Sequence, residues 1–377
     1  MAFLSSVIKS NSRMTLFISF GNGLLYELSQ FRRFISVIVK EGELTLDDID
    51  FVVTWVNSED QKWQKKKEKF ASDSLRVRSM NTQSRYRNYR LFKYWFRAVE
   101  KYAPWVHKIF LITDNQVPTW LDVENEKIVL VNHSDYIDSK YLPTFNSNVI
   151  ELEIGLIPNL ADHFVLFNDD TFLNAQVTQE DFFKGSLPRD TYVESPIIST
   201  KGSIAHAMVN DMEVINDVFS KKQFYRKNWN KVFSARVGLK LLRTLVLLPS
   251  RNFSGIWNSH LPVPYLTKTF YDVWHYMPDA LENMMNNKFR TPYDYNHWLM
   301  RYWQLVSGNF QVQSSNWGRV YDLGMTRMEC LQNEIEMSKH KVICLNDTDN
   351  VVDPTIIRDG LTKSFEKIFP QKSVFEK

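Results

Sequence analysis

The sequence is poor in cysteine, in net charge and in long apolar runs, and each shortage excludes a class of protein. Two cysteines in 377 residues argue against a secreted fold held together by disulfides. A formal net charge of +3 argues against a nucleic-acid-binding protein. The longest uncharged stretch near the start, residues 14–26, contains Gly21 and Gly23. It is also shorter than the roughly 20 apolar residues that span a bilayer.

The same region carries no signal for export. It lacks a clean apolar block followed by small residues at a cleavage site. We therefore expect a cytoplasmic protein, with residues 1–45 as a loosely amphipathic leader. Aromatic residues make up 14% of the chain. Such a content is typical of a large aromatic core and also of sugar-stacking surfaces, and composition does not choose between the two.

Apolar runs of strand length alternate with segments that have charged or helical patterns. Strands are predicted at 49–56, 108–114, 127–133 and 163–168, and helices at 62–69, 85–102 and 148–156. The last helix has Asn148 and Glu151 at the spacing of a capping box. This alternation predicts an α/β fold, Rossmann-like or GT-A-like, with a mainly parallel sheet and flanking helices.

Two adjacent carboxylates, Asp169 and Asp170, follow the fourth predicted strand. Asn57, Asp114 and His133 stand at the ends of the other three. The carboxyl ends of parallel strands are where such sheets bind ligands, so we expect these side chains to line one crevice. Acids and amides are hard oxygen ligands that suit Mg²⁺ or Mn²⁺. Taken alone the acid pair is equally typical of a turn, and the shared crevice favours the metal site.

A basic segment lies further along the chain, at about residues 218–258, and it is predicted to be helical. Between residues 218 and 271 there are ten Lys and Arg and no Asp or Glu, with Leu and Val interleaved. Two interpretations stay open. The segment lies on an anionic membrane or holds an anionic substrate, or it is a helical lid whose apolar side packs on the core. The first interpretation allows peripheral contact with the inner face of the cell membrane.

Four separated blocks, in a fixed order, resemble one family. The blocks read IDFVVTWVN at 49–57; RAVEKYAPWV, ITDNQ, PTFNS and FNDD within 97–170; HLP at 260–262 with Arg290; and ICLND at 343–347. Their order and content resemble the Stealth family of sugar-phosphate transferases. That family includes bacterial capsular and surface polysaccharide phosphotransferases and the animal N-acetylglucosamine-1-phosphotransferase. The pattern departs at Asn88–Leu91, where the family often has acidic residues, so we assign no catalytic role there.

The resemblance implies a catalytic domain over residues 46–377 and a reaction. Hexose 1-phosphate would pass from a UDP-sugar to a hydroxyl of a glycan or lipid-linked glycan, and UMP would leave. The product would be a phosphodiester in a capsular or other cell-surface polysaccharide. A metal-dependent glycosyltransferase, which moves the sugar alone and releases UDP, is the alternative. A non-catalytic polysaccharide- or membrane-binding protein is the third interpretation.

The same resemblance assigns roles to individual side chains. The implied catalytic residues are His260, Asp170, Asp50, Arg290 and Asp347; the donor-binding residues are Asn146, Ser147 and Arg290; and the ligands of Mg²⁺ or Mn²⁺ are Asp169, Asp170 and Asp347. His260 would accept the proton of the acceptor hydroxyl, and Arg290 would offer a fork of donors to phosphate. Asp347 has a second interpretation, that it orients His260.

Two further interpretations concern residues near the proposed site. Asn146 and Ser147 are also suited to capping the helix that follows them. Cys344 stands in an apolar run, and we expect it to be a buried core thiol rather than a nucleophile.

Overall fold

The computed structural model describes residues 48–71, 81–200 and 203–377, and the predicted leader at 1–45 lies outside them. The strands are β1 (Ile49–Thr54), β2 (Ile109–Thr113), β3 (Ile128–Asn132), β4 (His163–Asn168), β5 (Thr171–Leu173), β6 (Phe183–Lys184), β7 (Leu187–Asp190), β8 (Val263–Leu266), β9 (Gln311–Val312), β10 (Gly318–Asp322) and β11 (Val342–Asn346). The helices are α1 (Gln61–Lys69), α2 (Phe92–Tyr102), α3 (Ser147–Leu152), α4 (Gln179–Phe182), α5 (Ala205–Val218), α6 (Lys221–Val232), α7 (Leu241–Leu247), α8 (Thr267–Tyr276), α9 (Pro278–Met285), α10 (Trp298–Ser307), α11 (Met328–Met337) and α12 (Pro354–Ile368).

The central sheet has the strand order β3-β2-β1-β4-β8. β1 pairs in parallel with β2 and with β4, and β2 pairs in parallel with β3. β8 closes the edge antiparallel to β4. The predicted α/β fold with a mainly parallel sheet and flanking helices is confirmed. Because the strand order turns at β1, the carboxyl ends of β1, β2 and β4 open a crevice.

The sheet is buried on both faces, which explains why its strands read as continuous apolar runs. Alternate residues of β1 enter two different cores. Phe51 and Val53 join the core that contains Trp95 of α2. Val52 joins the opposite core, which contains Phe270 of α8 and Leu299 of α10. Two helical layers therefore hold the central strands in place beneath the crevice.

A second sheet, β10-β11-β5, brings the last sequence block to the first. Only two residues separate β4 from β5. β11 pairs antiparallel to β5, with Cys344 opposite Thr171. The backbone N–H of Leu345 donates a hydrogen bond to the carbonyl oxygen of Asp170 at 2.9 Å. The register of this small sheet therefore places the ICLND block beside the acid pair.

Two predicted helices are shorter in the structure. The helix predicted from residue 85 begins at Phe92, because Arg90 has a left-handed backbone with φ of 58°. The helix predicted at 148–156 is α3, which ends at Leu152, and the Asn146 side chain caps its first turn. The capping box of Asn148 and Glu151 is thus a wrong prediction, since the cap lies two residues earlier.

The basic segment is helical, as its pattern predicts. It comprises α6, a 3₁₀ turn at Ala235–Lys240 and α7. Within the described ranges, every helix is too short or too polar to cross a bilayer.

Candidate active site

The carboxyl ends of β1, β2, β3 and β4 open into a cleft of about 300 Å³. Asp114 and His133 line it beside the acid pair, as predicted. Asn57 does not line it, and its backbone N–H donates instead to Oε1 of Gln116 at 2.8 Å. The predicted site residues that line the cleft are Ser147, Asp169, Asp170, His260, Arg290 and Asp347. The four sequence blocks thus meet at one place in the fold.

Asp169 and Asp170 form the turn between β4 and β5, so the turn and the acid pair are one feature. Oγ1 of Thr171 donates to the carbonyl oxygen of Asn168 at 2.7 Å and fixes that turn. Burial among the cleft walls, and then the charge of Asp170, raises the pKa of Asp169 to about 7. Asp169 is still open to cleft water, which moderates the penalty. Two crowded carboxyls are what a divalent cation would stabilise.

Asp170 lies next to His260 and Cys344. The ligand atoms of these three side chains all lie within 4.8 Å of one another. His260 has a left-handed backbone with φ of 53°, a conformation that costs a non-glycine residue roughly 1 kcal/mol. Its ring packs edge-on against Trp298, with 6.2 Å between the ring centroids. The fold therefore holds the proposed base beside one of the proposed metal ligands.

The Cys344 side chain is buried, as expected. Its thiol hydrogen-bonds to Asp170, and burial followed by the charge of Asp170 raises the pKa of Cys344 well above its usual value. A thiol with a raised pKa stays protonated and is a poor nucleophile. The sequence did not predict this contact, which depends on the pairing of β5 with β11.

Asp347 is held by two residues that the sequence analysis left without a role. Oδ1 of Asp347 accepts hydrogen bonds from Nη1 of Arg87 at 2.9 Å and from the hydroxyl of Tyr89 at 2.8 Å. Burial raises the pKa of Asp347, although Tyr89 and Arg87 oppose that shift. Oδ2 is buried and has no hydrogen-bond partner among the described residues. Such an oxygen suits a hard cation.

The oxygen donors of Asp169, Asp170 and Asp347 share the cleft and fit Mg²⁺ or Mn²⁺ by their chemistry. Their ligand atoms do not form a group as tight as the one around His260 within the described part of the chain. Oδ1 of Asp347 accepts its hydrogen bonds from Arg87 and Tyr89. The alternative in which Asp347 orients His260 stays a prediction.

Arg290 faces Ser147 across the cleft. Nη2 of Arg290 donates to Oγ of Ser147 at 2.5 Å. Arg87 and Arg301 form ion pairs with carboxylates, whereas Arg290 forms none with any residue that the structure describes. A half-buried guanidinium with spare donors is suited to phosphate oxygens.

Asn146 does not line the cleft with Ser147 and Arg290. Its predicted donor-binding role is therefore corrected to a structural one. The residue is fully buried. Its Oδ1 accepts from the backbone N–H of Asn148 at 3.1 Å, and its Nδ2 donates to Oδ2 of Asp294 at 2.8 Å. Both ends of the amide are used inside the protein, so Asn146 caps α3 while Ser147 faces the cleft.

Asp50 lies at the opposite end of the sheet, so the prediction that it shares this site is corrected. It is the second residue of β1, about 13 Å along the strand from Thr54, which lines the cleft. Its Oδ1 accepts from Nδ1 of His107 at 2.8 Å and from the backbone N–H of Lys108 at 3.1 Å. Its Oδ2 accepts from the backbone N–H of Ala161 at 2.8 Å. Asp50 therefore ties three segments together below the sheet.

Glu151 and His297 are cleft residues that sequence reasoning missed. Burial raises the pKa of Glu151 to about 7, against the opposing charge of Arg290. Burial also lowers the pKa of His297 to about 3. Oε2 of Glu151 lies 3.9 Å from Nε2 of His297. The sequence analysis gave Glu151 only a place in a helical capping box, and such a place says nothing about burial.

Comparison with known proteins identifies the family of the chain. Residues 85–190 match Stealth protein CR2, conserved region 2. The chain is 46% identical over 332 residues to the capsular polysaccharide phosphotransferase WcwK of Streptococcus pneumoniae, covering 88% of this chain and 99% of that protein. It is 40% identical over 332 residues to the exopolysaccharide phosphotransferase cps2G of Lactiplantibacillus plantarum, covering 88% and 96%. It is 39% identical over 335 residues to the receptor polysaccharide phosphotransferase WefC of Streptococcus oralis, covering 88% and 100%. The chain therefore belongs to the Stealth family and is a transferase enzyme.

Proposed function

We propose that this enzyme transfers hexose 1-phosphate from a UDP-sugar to a glycan hydroxyl and releases UMP. The product is a phosphodiester in a capsular or other cell-surface polysaccharide. The names of the relatives, all polysaccharide phosphotransferases, support phosphoryl transfer in polysaccharide synthesis. The observation that carries the proposal is one cleft in which Arg290, without an ion pair among the described residues, faces the acid pair and His260.

The proposed reaction breaks one P–O bond and forms another. His260 accepts the proton of the acceptor hydroxyl, whose oxygen attacks the phosphorus next to the sugar. The bond from that phosphorus to the bridging oxygen breaks, and UMP leaves with the electron pair. The bond from the anomeric carbon to its oxygen stays intact, so the anomeric configuration is kept.

Charge neutralisation is the main demand of such a reaction. Arg290 supplies fixed donors to the phosphate oxygens, and its hydrogen bond to Ser147 positions it. Asp169 and Asp170, with Asp347, would hold Mg²⁺ or Mn²⁺, which supplies further positive charge at the diphosphate. Arg87 and Tyr89 position Asp347 at the edge of this group.

The proposal also defines the partners. The donor is a nucleotide sugar, a cytoplasmic metabolite, so the reaction takes place in the cytoplasm. The acceptor is a glycan or a lipid-linked glycan. We assign no role in nucleic-acid binding, in keeping with the net charge of +3.

The nucleotide product tests the proposal directly. Purified full-length protein is incubated with Mg²⁺, a glycan acceptor and each member of a panel of UDP-hexoses, and nucleotides are separated by chromatography. We expect UMP in equal amount to the new glycan product, and none without acceptor. UDP as the sole nucleotide product would instead establish the metal-dependent glycosyltransferase. Absence of both products across the panel, with an intact acceptor, would contradict either transfer.

A further inference from the structure

Helix α7 exposes three of its apolar side chains, Leu242, Leu245 and Val246, to solvent. Thr244 is its buried residue, and Oγ1 of Thr244 accepts a hydrogen bond from the backbone N–H of Glu194 at 3.0 Å. Leu242 and Val246, on the opposite side, are 58% and 76% exposed, and Leu239 just before the helix is 86% exposed. A helix of a water-soluble fold normally turns such residues toward the core.

These side chains form one apolar surface, which we call the α7 surface. Its members are Leu239, Leu242, Leu245, Val246 and Leu248. Single exposed apolar residues are ordinary, but a contiguous exposed cluster marks a site of interaction. The exposure of Leu242, Leu245 and Val246 is contrary to a lid whose apolar side packs on the core, as far as this helix is concerned.

The charged side chains between residues 218 and 271 are all basic. Two basic residues of the segment are used inside the protein. Nζ of Lys221 contacts Glu194 at 2.8 Å, and Nζ of Lys231 donates to the carbonyl oxygen of Gly308 at 2.8 Å. The other basic residues between 218 and 258 form no ion pair with any described residue. They are Lys222, Arg226, Lys227, Arg236, Lys240, Arg243 and Arg251.

We propose that the α7 surface docks the enzyme on an anionic lipid bilayer. Exposed Leu and Val side chains flanked by unpaired Lys and Arg are the composition of a helix that lies in a membrane interface. Apolar side chains enter the boundary between head groups and acyl chains, and the cations contact anionic head groups. A protein partner of mixed charge offers no match for seven cations without one acid between residues 218 and 271.

The α7 surface is connected to the active site by a short path. Nζ of Lys240 lies 4.8 Å from the centroid of the Trp257 ring, and Trp257 precedes His260 by three residues. The carbonyl oxygen of Trp257 accepts from Nη1 of Arg301 at 3.1 Å. Docking therefore holds the segment that carries His260 near the bilayer. This position suits a lipid-linked acceptor, a point that rests on the proposed function.

Vesicle binding of the full-length protein tests the docking. Wild-type protein is sedimented with vesicles of phosphatidylcholine alone and of phosphatidylcholine with 30% phosphatidylglycerol (about one anionic lipid in three). We expect binding to the anionic vesicles and little to the neutral ones. Because each surface charge is worth about fivefold in binding, Leu242→Glu with Val246→Glu should weaken binding at least about 25-fold.

A matched control separates this surface from a general effect of added acids. Val352 and Ile356 are 98% and 64% exposed and have the same spacing as Leu242 and Val246. Val352→Glu with Ile356→Glu should bind vesicles as the wild type does. The charge is tested in the same way. Arg243→Gln with Arg251→Gln should weaken binding about 25-fold, whereas Lys62→Gln with Lys65→Gln on α1 should not.

Several outcomes would overturn the proposal. One is no binding of wild-type protein to anionic vesicles. Another is binding by the Leu242→Glu, Val246→Glu variant at the wild-type level, which would assign the membrane contact to another part of the chain, such as residues 1–45. A third is a wild-type dimer that this variant converts to a monomer without any vesicle binding, which would assign the surface to a second copy of the chain.

Transferase activity with two kinds of acceptor distinguishes membrane docking from the proposed reaction. The Leu242→Glu, Val246→Glu variant should release nucleotide at the wild-type rate with a water-soluble acceptor and more slowly with a vesicle-embedded one. Vesicle binding is measured without any substrate, so it can succeed even if no UMP is formed.

Discussion

The central sheet carries acidic residues at both ends, and the two ends differ in how those acids are satisfied. At the amino end, Asp50 accepts three hydrogen bonds from His107, Lys108 and Ala161. At the carboxyl end, Asp169 and Asp170 stand side by side in an open cleft, where burial and then the charge of Asp170 raise the pKa of Asp169 to about 7. The protein's own donors satisfy the carboxylate at one end, while the acids at the other end face an open cleft.

The difference shows how a structural carboxylate is told from a functional one. A buried acid that receives three hydrogen bonds from two other segments stabilises the fold. Burial and then the charge of Asp170 destabilise the ionised form of Asp169, in a cleft that also holds His260 and Arg290, and this is typical of sites that bind ions or react. Substitutions at the two ends of the sheet separate the structural role from the functional one.

Asp170→Asn should have the largest effect. Removing this charge takes away a proposed metal ligand beside His260, and we expect kcat/KM for UMP release to fall about 1,000-fold, or about 4 kcal/mol. The melting temperature should stay near that of the wild type, because the change relieves repulsion with Asp169. Activity within tenfold of the wild type would place the chemistry elsewhere.

Glu153→Gln tests a buried acid that lies outside the cleft. Burial raises the pKa of Glu153 to about 8, so the folded state holds this proton more tightly than the unfolded state does. The free energy of unfolding of the wild type should therefore fall as pH rises from about 4.5 to about 8. At pH 9 the variant should be more stable by about 3 kcal/mol.

Urea unfolding between pH 4 and pH 9 measures this effect. Glu124→Gln, at an exposed position, is the control and should keep the wild-type pH dependence. A Glu153→Gln variant whose stability falls with pH as steeply as the wild type would show that this carboxyl is not the source.

Asp50→Asn should reverse the pattern of Asp170→Asn. The NH₂ group of the new amide faces at least one N–H that donated a hydrogen bond to the carboxylate, so this hydrogen bond is lost. We therefore expect a loss of about 2 kcal/mol in the free energy of unfolding. UMP release per folded molecule should stay within about twofold. If the variant is folded and stable but inactive, Asp50 takes part in the reaction. The two ends of the sheet would then not differ in function.

Arg290→Lys should have the smallest effect. Lysine keeps the charge but loses the fork of donors and the hydrogen bond to Ser147, so we expect kcat/KM to fall about tenfold. Arg90→Lys, which alters an exposed ion pair with Glu59, is the control and should leave kcat/KM unchanged. Equal rates for wild type and Arg290→Lys would mean that no forked contact with phosphate is made.

The sequence predicted the central sheet and its crevice because buried parallel strands read as apolar runs. β1, β2 and β4 followed from that pattern, and so did the position of Asp169 and Asp170 at a strand's carboxyl end. The pattern also shows that Asp50 begins a strand, and a residue there lies at the opposite edge from the crevice. The family resemblance placed it in the site in spite of that.

Other parts of the site depend on contacts between distant segments. Arg87 and Tyr89, which contact Asp347, lie before α2, because Arg90 has a left-handed backbone and the helix begins at Phe92. Helical periodicity had predicted that both residues lie inside the helix. Cys344 meets Asp170 through the register of β5 and β11. Neither feature has a local sequence signal, since each is fixed by tertiary packing.

The most direct test of phosphoryl transfer follows the phosphorus atom itself. A UDP-hexose labelled with ³²P at the phosphorus next to the sugar is incubated with full-length protein, Mg²⁺ and acceptor, and the products are separated. The account predicts that the label enters the glycan as a phosphodiester while unlabelled UMP is released. Label that remains in UDP, with unlabelled sugar in the glycan, would contradict it.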